Sequence, residues 1–282
     1  MDKMRILPGH PIAKAAIDHA LYDIMGKAHR VPVYKLLGGA YREKISQAAF
    51  LGAKNVDDMR REALEWAEKG YDNFLVKLSG DPQKDPERVK AIREVLGDDV
   101  TLRLDANEGY SPDTAIKALR RMEALDLNVM SCDQPVPRWD LDGMARVAKA
   151  IDIPICADEC INSPSDAINV IRKEAADILT VKSSKVGFYN AKKICAIAEA
   201  TDIPCELGGM LTCGIGAAVD RHFATSTKVV QHDEGVFSPL SLYKDDIVKN
   251  TFPIGPYTKA PNGPGLGIEI NEGKLKLYSV SL

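Results

Sequence analysis

The feature that most constrains this chain is a regular alternation between short apolar segments and longer segments with helical periodicity. The apolar segments lack the polar alternation of a half-exposed strand, so they predict strands that are covered on both faces. Strands of this kind, each followed by a helix, are typical of a parallel sheet in an α/β protein. The strand-type segments are ISQAAFLG (45–52), NFLVKL (73–78), VTLRLD (100–105), LNVMSCD (127–133), IPICADE (153–159), DILTVKS (177–183), IPCELGG (203–209) and KVVQH (228–232).

The number of strands decides between an open doubly wound sheet and a closed (β/α)8 barrel, the two architectures that this alternation allows. Eight strand and helix units favour the barrel, and no GxGxxG follows a first strand to support a dinucleotide-binding sheet. We therefore predict an α/β fold, a TIM-like (β/α)8 barrel, at residues 41–237. An entry helix and linker (1–40) precede the barrel, and a C-terminal extension rich in Pro and Gly (238–282) follows it.

Composition limits the partners of this 282-residue chain. The formal net charge is −3, from 37 basic and 40 acidic residues, so the charge favours neither nucleic acid nor a membrane surface. The six cysteines include no CxxC pair and lie mostly in apolar segments, which is typical of reduced core residues in the cytoplasm. No apolar leader opens the chain, and no segment is long and apolar enough to span a bilayer. We expect a cytoplasmic protein with a small-molecule partner.

Charged residues stand where the predicted strands end. Lys77, Asp105, Asp133, Asp158 and Lys182 follow one another at intervals of about 24 to 28 residues, the length of one strand and helix unit. The carboxyl ends of the strands in such a barrel meet at one mouth, where barrel enzymes carry out their chemistry. The pattern therefore predicts that three aspartates converge there, with a lysine on either side.

Three carboxylates that share a partly desolvated mouth repel one another, and a divalent cation would relieve that repulsion. Oxygen ligands without a nearby histidine or thiolate suit Mg²⁺, with Mn²⁺ as an alternative ion. Any one of these aspartates, taken alone, could instead be a helix N-cap in a βα loop. Their equal placement on consecutive strands favours a metal site formed by Asp105, Asp133 and Asp158.

Lys77 and Lys182 each follow an apolar segment, in FLVKLSG and LTVKSSKVG. A lone lysine at the end of a strand is usually a solvated side chain that extends to the surface. A lysine beside a divalent cation in a desolvated cleft can instead serve as a base near neutral pH. We predict that these two lysines are an acid/base pair.

Several motifs, in their order and spacing, resemble the muconate lactonizing branch of the enolase superfamily. The resemblance covers nearly the whole chain from Ile12 onward. The motifs are AKAAIDHALYDIMGK, PVYKLLGG, LRLDAN, DQP, ADE, VKSSKVG, GGMLTCGIG and PNGPGLGIEI.

The resemblance implies roles for particular residues. It implies that Asp105, Asp133 and Asp158 bind Mg²⁺ and that Lys77 and Lys182 are the acid/base pair. The implied supporting residues are Asn107, Glu159 and Lys185. In this family the substrate carboxylate binds the metal while a base removes the proton on the adjacent carbon, and the metal stabilises the resulting enediolate.

The sequence departs from the family pattern at several places. Leu75 stands where Lys-x-Lys usually begins, Asp133 replaces a longer glutamate, and Thr212 replaces an acid often found after the seventh strand. The seventh strand lacks the histidine of the mandelate racemase branch. Gly235 and Phe237 replace the Asp-x-Asp with which dipeptide epimerases hold a substrate ammonium, so both of these branches are disfavoured. His222 and His232 are expected to be structural.

The family also carries an α+β capping domain of about a hundred residues before the first helix, and the resemblance implies that residues 1–40 are a remnant of that junction. The pattern IAKAAIDHALYDIMGK predicts an amphipathic helix whose apolar stripe carries Ile12, Ala16, Ala20 and Ile24 and, one helical step away, Ile17 and Leu21. Without a cap, apolar surface at the barrel mouth should be exposed and should promote association. We therefore expect a homo-oligomer.

These observations favour a Mg²⁺-dependent isomerase, a racemase or epimerase, that abstracts the proton alpha to a carboxylate through an enediolate. One alternative is a lyase or cycloisomerase, of the dehydratase or lactonizing type, that uses the same intermediate with only one active lysine. A second alternative is a catalytically silent barrel that acts as a binding module, since a fold by itself does not establish an activity.

Overall fold

The computed structural model describes residues 4, 6–233 and 238–280. The chain divides into two compact units. The first, which we call the sheet unit, comprises Ala48–Val181 and Ile194–Glu206. The second, which we call the helix unit, comprises Met1–Gln47, Lys182–Lys193 and Leu207–Leu282. This division does not test the predicted boundaries at residues 40 and 237, which remain predictions.

The sheet unit is built from parallel strands that lie in the order of the chain. Its strands are β2 (Ala49–Leu51), β3 (Asn73–Lys77), β4 (Thr101–Asp105), β5 (Val129–Asp133), β6 (Ile155–Ala157), β7 (Ile178–Val181) and β8, which begins at Cys205 and ends at Leu207. The pairings from β2 through β7 are all parallel. Each of the first seven predicted strands thus has an observed counterpart, although ISQAAFLG contains two separate short strands.

Helices connect these strands, as the periodicity predicted. They are α3 (Val56–Glu68), α4 (Lys84–Leu96), α5 (Pro112–Ala124), α6 (Leu141–Ala148), α7 (Pro164–Arg172) and α8 (Ser183–Ala200), whose residues up to Lys193 belong to the helix unit. In four of them the residue just before the helix is an N-cap. Its side-chain oxygen accepts a hydrogen bond from a backbone N–H that has no partner within the helix. The caps are Asn55, Ser111, Asp140 and Ser163.

Apolar side chains from strands and helices form the core of the sheet unit. Phe74, Val76, Leu102 and Leu104 on the strands are fully buried, as is Leu119 on α5. Strand segments β6 and β7 are buried at every residue, which explains why the sequence shows no polar alternation there.

The helix unit contains α1 (Pro11–His29), α2 (Val33–Leu36), α9 (Gly214–Ser226) and α10 (Glu272–Tyr278). Two short strands, β1 (Ile45–Ser46) and β10 (Tyr257–Thr258), pair antiparallel. Strand β9 (Val230–Asp233) corresponds to the last predicted strand. Among the described residues, no helix is both long enough and apolar enough to cross a bilayer.

Helix α1 confirms the predicted helix, but its apolar stripe is not buried. Ile12, Ile17, Leu21 and Ile24 are about half exposed, at 53, 52, 48 and 62 %. The opposite face, which carries Ala15, Asp18, His19 and Gly26, is buried instead. Helical periodicity identifies a stripe but not the side on which a partner packs.

Candidate active site

The aspartates that end three neighbouring strands form a buried cluster in the sheet unit. Asp105 and Asp133 are the last residues of β4 and β5 and are register partners, and Asp158 follows the last residue of β6. Because parallel strands end at the same edge of a sheet, this register brings the three side chains together. Carboxylate oxygens of Asp105, Asp133 and Asp158 lie within 4.8 Å of one another. At most 3 % of each residue is exposed.

This donor set fits a hard divalent cation. Buried carboxylates at such distances repel one another strongly, so their ionised forms require nearby positive charge. An all-oxygen set suits Mg²⁺ or Mn²⁺, and octahedral Mg²⁺ leaves positions for substrate oxygens or water. Asp105, Asp133 and Asp158 are therefore the residues that could hold the ion.

Lys77 lies beside this cluster. It is the last residue of β3, and its ammonium donates hydrogen bonds to Asp105 Oδ2 and to Asn107 Oδ1, the latter at 2.6 Å. The register pairs Lys77 directly with Asp105. The lysine side chain is 22 % exposed, so it is only partly buried beside the cluster.

Asn107 connects Lys77 to Glu159. The asparagine has a left-handed backbone (φ 41°), its N–H donates to Asp105 Oδ1 at 2.9 Å, and its Nδ2 donates to Glu159 Oε1 at 2.9 Å. Asn and Asp adopt this conformation more readily than most residues, which accounts for Asn at this turn. The structure thus brings Lys77, Asn107 and Glu159 into one hydrogen-bonded chain at the edge of the cluster.

Gln134 is a site residue whose role the sequence did not reveal. It is fully buried, and its Oε1 accepts hydrogen bonds from the backbone N–H groups of Asp158 and Cys160, at 3.1 and 3.2 Å. Its Nε2 donates to the carbonyl of Val136 at 2.9 Å. One amide side chain therefore fixes the loop after β5 to the loop that carries Asp158. The only signal in the sequence was its position in DQP, directly after Asp133.

A second polar group lies deeper in the sheet unit. Glu206 on β8 is fully buried, accepts a hydrogen bond from Thr180 Oγ1 at 2.5 Å, and lies 3.6 Å from Arg103 Nη1. Ligand atoms of Asp133, Cys156 and Glu206 are also within 4.8 Å of one another. Arg103 and Glu206 could not be predicted as a pair, because a single charge inside an apolar strand gives no indication of its partner.

Glu108 and Arg138 form an ion pair in the loops that follow β4 and β5. Arg138 Nε and the Arg138 backbone N–H both donate to Glu108 Oε1, at 2.9 and 2.6 Å. The hydrogen bond from the Arg138 side chain lowers the pKa of Glu108 below its usual range, so this carboxylate is ionised near neutral pH. The pair joins two of the loops that carry the cluster.

The second predicted lysine lies in the helix unit. Lys182 follows Val181, the last residue of β7, and is half-buried. Its carbonyl accepts hydrogen bonds from the N–H groups of Lys185 and Val186, at 2.9 and 3.0 Å, so Lys182 begins a helical turn. Lys185, the predicted supporting residue, is buried in that turn.

His222 is buried in the helix unit and contacts backbone on both sides. Its Nδ1 accepts from the N–H of Tyr34 at 3.2 Å and its Nε2 lies 3.1 Å from the carbonyl of Leu266, which can only accept. These bonds support the expected structural role. The side chain of His232, and residues Gly235 and Phe237, lie outside the described part of the chain.

Comparisons with known proteins match two family models. Residues 58–274 match the model described as "Enolase C-terminal domain-like". Residues 1–38 match the model described as "Mandelate racemase / muconate lactonizing enzyme, N-terminal domain". Together the two models account for most of the sequence.

Similar proteins include a racemase, an epimerase and a cycloisomerase. N-succinyl-L-Arg/Lys racemase of Bacillus cereus is 36 % identical over 96 % of this chain and 73 % of its own length. L-Ala-D/L-Glu epimerase of Clostridium acetobutylicum is 35 % identical over 93 % of this chain and 73 % of its own. Muconate cycloisomerase 1 of Rhodococcus opacus is 32 % identical over 99 % of this chain and 75 % of its own length.

Solved structures agree with these sequence similarities. The Bacillus cereus racemase structure has a TM-score of 0.92 at 35 % identity, covering 99 % of this chain and 74 % of that one. The structure of a dipeptide epimerase from Cytophaga hutchinsonii has a TM-score of 0.89 at 31 % identity, covering 97 % of this chain and 74 % of that one. That epimerase is complexed with Mg and the dipeptide D-Ala-L-Val. The predicted fold class, an α/β TIM-like barrel, is thereby confirmed.

Proposed function

Because this chain belongs to the mandelate racemase and muconate lactonizing enzyme family of the enolase superfamily, we propose that it is a Mg²⁺-dependent racemase or epimerase. The reaction removes the proton alpha to a substrate carboxylate and returns a proton to the opposite face. Relatives with racemase, epimerase and cycloisomerase activities establish that the chain is an enzyme of this superfamily.

The observation that carries the proposal is the position of Lys77. Its ammonium donates to Asp105, and Asp105 shares a buried cluster with Asp133 and Asp158. A general base must lie within hydrogen-bond reach of the proton that it removes. A carboxylate substrate directed to this cluster would present its α-carbon close to Lys77.

Asp105, Asp133 and Asp158 would hold the cation. When bound, Mg²⁺ would supply positive charge that stabilises the second negative charge of the enediolate. Gln134 would keep Asp158 in place, because its Oε1 accepts the backbone N–H of that aspartate.

The two lysines would move the proton. In the neutral form, one lysine amine accepts the α-proton from one enantiomer, and the ammonium of the other lysine donates a proton to the opposite face of the enediolate. Their roles exchange in the reverse direction. We propose Lys77 and Lys182 for these roles, with Asn107, Glu159 and Lys185 in support. Asn107 supports the role by binding Lys77 and Glu159 at the same time.

We propose an N-acylated α-amino acid as the substrate. Two of the relatives are named for an N-succinyl amino acid and for L-Ala-D/L-Glu, a dipeptide, and both kinds of compound carry an α-proton next to a carboxylate. Gly235 and Phe237 offer no carboxylate to a free substrate ammonium. An N-succinyl amino acid has no such ammonium on its α-nitrogen and is therefore the preferred first probe.

Cycloisomerisation is the second candidate, because the similarity to muconate cycloisomerase 1 of Rhodococcus opacus covers 99 % of this chain. That reaction would use the same enediolate but only one lysine as acid or base. The two candidates therefore differ in what the second lysine does.

The test is proton exchange in D₂O with Mg²⁺, followed by ¹H NMR, for N-succinyl-L-arginine and N-succinyl-D-arginine. The parent protein should exchange the α-proton of both enantiomers and interconvert them. Lys77→Ala should retain exchange of one enantiomer and Lys182→Ala exchange of the other, while net interconversion stops in both variants. Loss of one general base should slow the affected exchange by about 10²- to 10⁴-fold.

Other outcomes identify the alternatives. In a one-base lyase or cycloisomerase, one lysine variant should lose α-proton exchange completely. The other variant should lose only part of the exchange, for both enantiomers. Full exchange of both enantiomers in both variants would rule out the two lysines as bases. Absence of exchange in the parent with both N-succinyl-arginine enantiomers, and with L-Ala-L-Glu, would contradict the substrate class.

We further propose that the protein forms a homo-oligomer through the exposed stripe of α1. Ile17, Leu21 and Ile24, which share the exposed side of the helix, form an apolar surface that would be covered by association. Sedimentation velocity should show an assembly larger than a monomer, and Ile17→Lys with Leu21→Gln should increase the monomer fraction. A parent protein that sediments as a monomer at high concentration would contradict this proposal.

A further inference from the structure

The segment that follows Lys182 is held by side chains that the proposed mechanism does not use. Helix α8 begins at Ser183 but has a non-helical residue at Gly187, with φ 80° and ψ 159°. The turn that starts at Lys182 is therefore separated by a break from the longer helix behind it. Glycine adopts such angles readily, and contacts from outside the helix can stabilise the break further.

Asp18 on α1 supplies one of these contacts. Its Oδ2 accepts the N–H of Tyr189 at 3.1 Å, directly after the break, where the second part of α8 has unpaired N–H groups. A Cβ atom at Gly187 would lie 2.8 Å from the same oxygen, so the carboxylate and the glycine fit against each other closely. Asp18 is only 3 % exposed, and its burial raises its pKa, which the backbone hydrogen bonds partly oppose.

Two more side chains hold the turn itself. His19 Nε2 lies 3.0 Å from the carbonyl of Ser183, so this nitrogen carries the proton and donates it. Asp220 on α9 accepts from Ser183 Oγ at 2.8 Å and from the N–H of Ser184 at 3.3 Å. Ser183 itself is fully buried. The residue next to Lys182 is thus fixed through its carbonyl, its hydroxyl and the following N–H.

Resting on the proposed function, we propose that Asp18 and Asp220 are positioning residues that fix Lys182 for proton transfer. They act through the backbone, because Lys182 begins the turn that Asp220 and His19 hold and that Asp18 separates from the rest of α8. A misplacement of about 1 Å by a remote substitution can slow catalysis by roughly 10²-fold. This role also gives a reason for Asp18 and His19 in the AKAAIDHALYDIMGK motif.

The test compares Asp18→Ala with Asp23→Ala, a matched change on the same helix. Asp23 accepts the N–H of Leu266 at 2.8 Å and binds Lys27, so both of these partners lie outside the segment that follows Lys182. In Asp18→Ala, the α-proton exchange that depends on Lys182 should fall at least about tenfold, while the exchange that depends on Lys77 stays within about twofold. Asp23→Ala should leave both rates within about twofold of the parent. Lys182→Ala identifies which enantiomer depends on which lysine.

A second measurement does not depend on activity. Amide hydrogen exchange, followed by mass spectrometry, should become at least about tenfold faster in peptides that cover residues 183–189 of Asp18→Ala. Peptides that cover β3 to β6 should not change. If Asp18→Ala does not fold, Asp18→Asn is used instead, because the amide oxygen retains an acceptor for the N–H of Tyr189 and should give an intermediate effect in both measurements.

The outcomes separate this proposal from the proposed function. The positioning role would be overturned if Asp18→Ala slowed the α-proton exchange of both enantiomers equally. It would also be overturned if amide hydrogen exchange at residues 183–189 did not change. Neither result would contradict the activity of the parent protein. A parent that exchanges neither enantiomer would overturn the proposed function and, with it, the catalytic role of the positioning residues. Faster amide exchange in that case would show only that Asp18 supports the fold.

Discussion

The aspartates of this protein have different tasks according to what surrounds them. Asp18 and Asp220 accept backbone N–H groups, and Asp85 accepts the N–H groups of Ser79 and Asp81. Asp105 also accepts a backbone N–H, that of Asn107, but it differs from these in that it converges with Asp133 and Asp158. A carboxylate that caps backbone is stabilised by local dipoles, whereas clustered carboxylates require a cation.

Asp158→Asn tests the metal assignment at this scale. The substitution removes one negative charge with almost no change in volume, so the fold should persist while Mg²⁺ binding weakens. Loss of a residue that only supports a metal ligand reduces affinity by roughly 10- to 100-fold, so removal of a ligand charge should weaken binding by about 100-fold or more. Isothermal titration calorimetry measures the affinity directly.

Asp113→Asn is the matched control. Asp113 pairs with Arg146 at 2.7 Å, its side chain is 86 % exposed, and it is not part of the carboxylate cluster. Its substitution should leave the Mg²⁺ affinity unchanged. Equal affinity in Asp158→Asn and the parent protein would refute the metal site.

On β4, Arg103 and Asp105 are two positions apart. Because alternate residues of a strand face the same side, the two side chains point to the same side of the sheet. The carboxylate cluster therefore lies next to a second group of buried residues, which includes Arg103 and Glu206.

The buried pair of Arg103 and Glu206 should be costly to break but dispensable as a whole. Glu206→Leu leaves the Arg103 charge buried without its partner carboxylate and should lower the free energy of unfolding by about 3–5 kcal/mol. Adding Arg103→Met should restore most of that loss, because well-packed apolar residues can replace a buried ion pair. Urea denaturation of the parent, both single variants and the double variant measures the coupling.

The exposed pair of Asp113 and Arg146 again provides a comparison, since exposed ion pairs contribute little. Substitution of Asp113 should change the free energy of unfolding far less than Glu206→Leu does. If the double variant is no more stable than Glu206→Leu alone, the broken ion pair is not the reason why Glu206→Leu lowers the free energy of unfolding.

At the scale of the whole molecule, buried titratable groups make stability depend on pH. Burial lowers the pKa of His19 and of His222 to about 4 in each case. Burial raises the pKa of Asp220 to about 6, against the hydrogen bonds from Ser183 and Ser184. The histidines favour folding above their unfolded pKa of 6.5 and lose that contribution as the pH falls toward 4. The pH dependence of the Asp220 contribution has the opposite sign. Its raised pKa favours folding at low pH, and that contribution to stability is lost as the pH rises from 3.8 through about 6.

His222→Gln should reduce the acid sensitivity of the fold. The glutamine amide offers an acceptor for the N–H of Tyr34 and a donor for the carbonyl of Leu266, but it does not take up a proton. The parent should lose about 3 kcal/mol more than the variant in the free energy of unfolding between pH 7 and pH 4. Urea denaturation at several pH values gives the free energy of unfolding against pH for the parent and the variant. Parallel curves would show that His222 is not a source of the acid sensitivity.

The order of the strands and helices, and the polar residues at the strand ends, could be predicted from the amino-acid sequence alone. Both follow from local patterns, because the period of apolar residues distinguishes strand from helix and parallel strands end at one edge. Lys77 and the three aspartates were found in this way. Only the tertiary structure decided which side of α1 is buried, that Glu206 lies beside Arg103, and that Asp18 meets Tyr189. Asp18 and Tyr189 are 171 residues apart, and His19 and Ser183 are 164 apart, so no local period relates them. Contacts over such distances depend on how whole elements pack, and that information is spread over every residue of the elements involved.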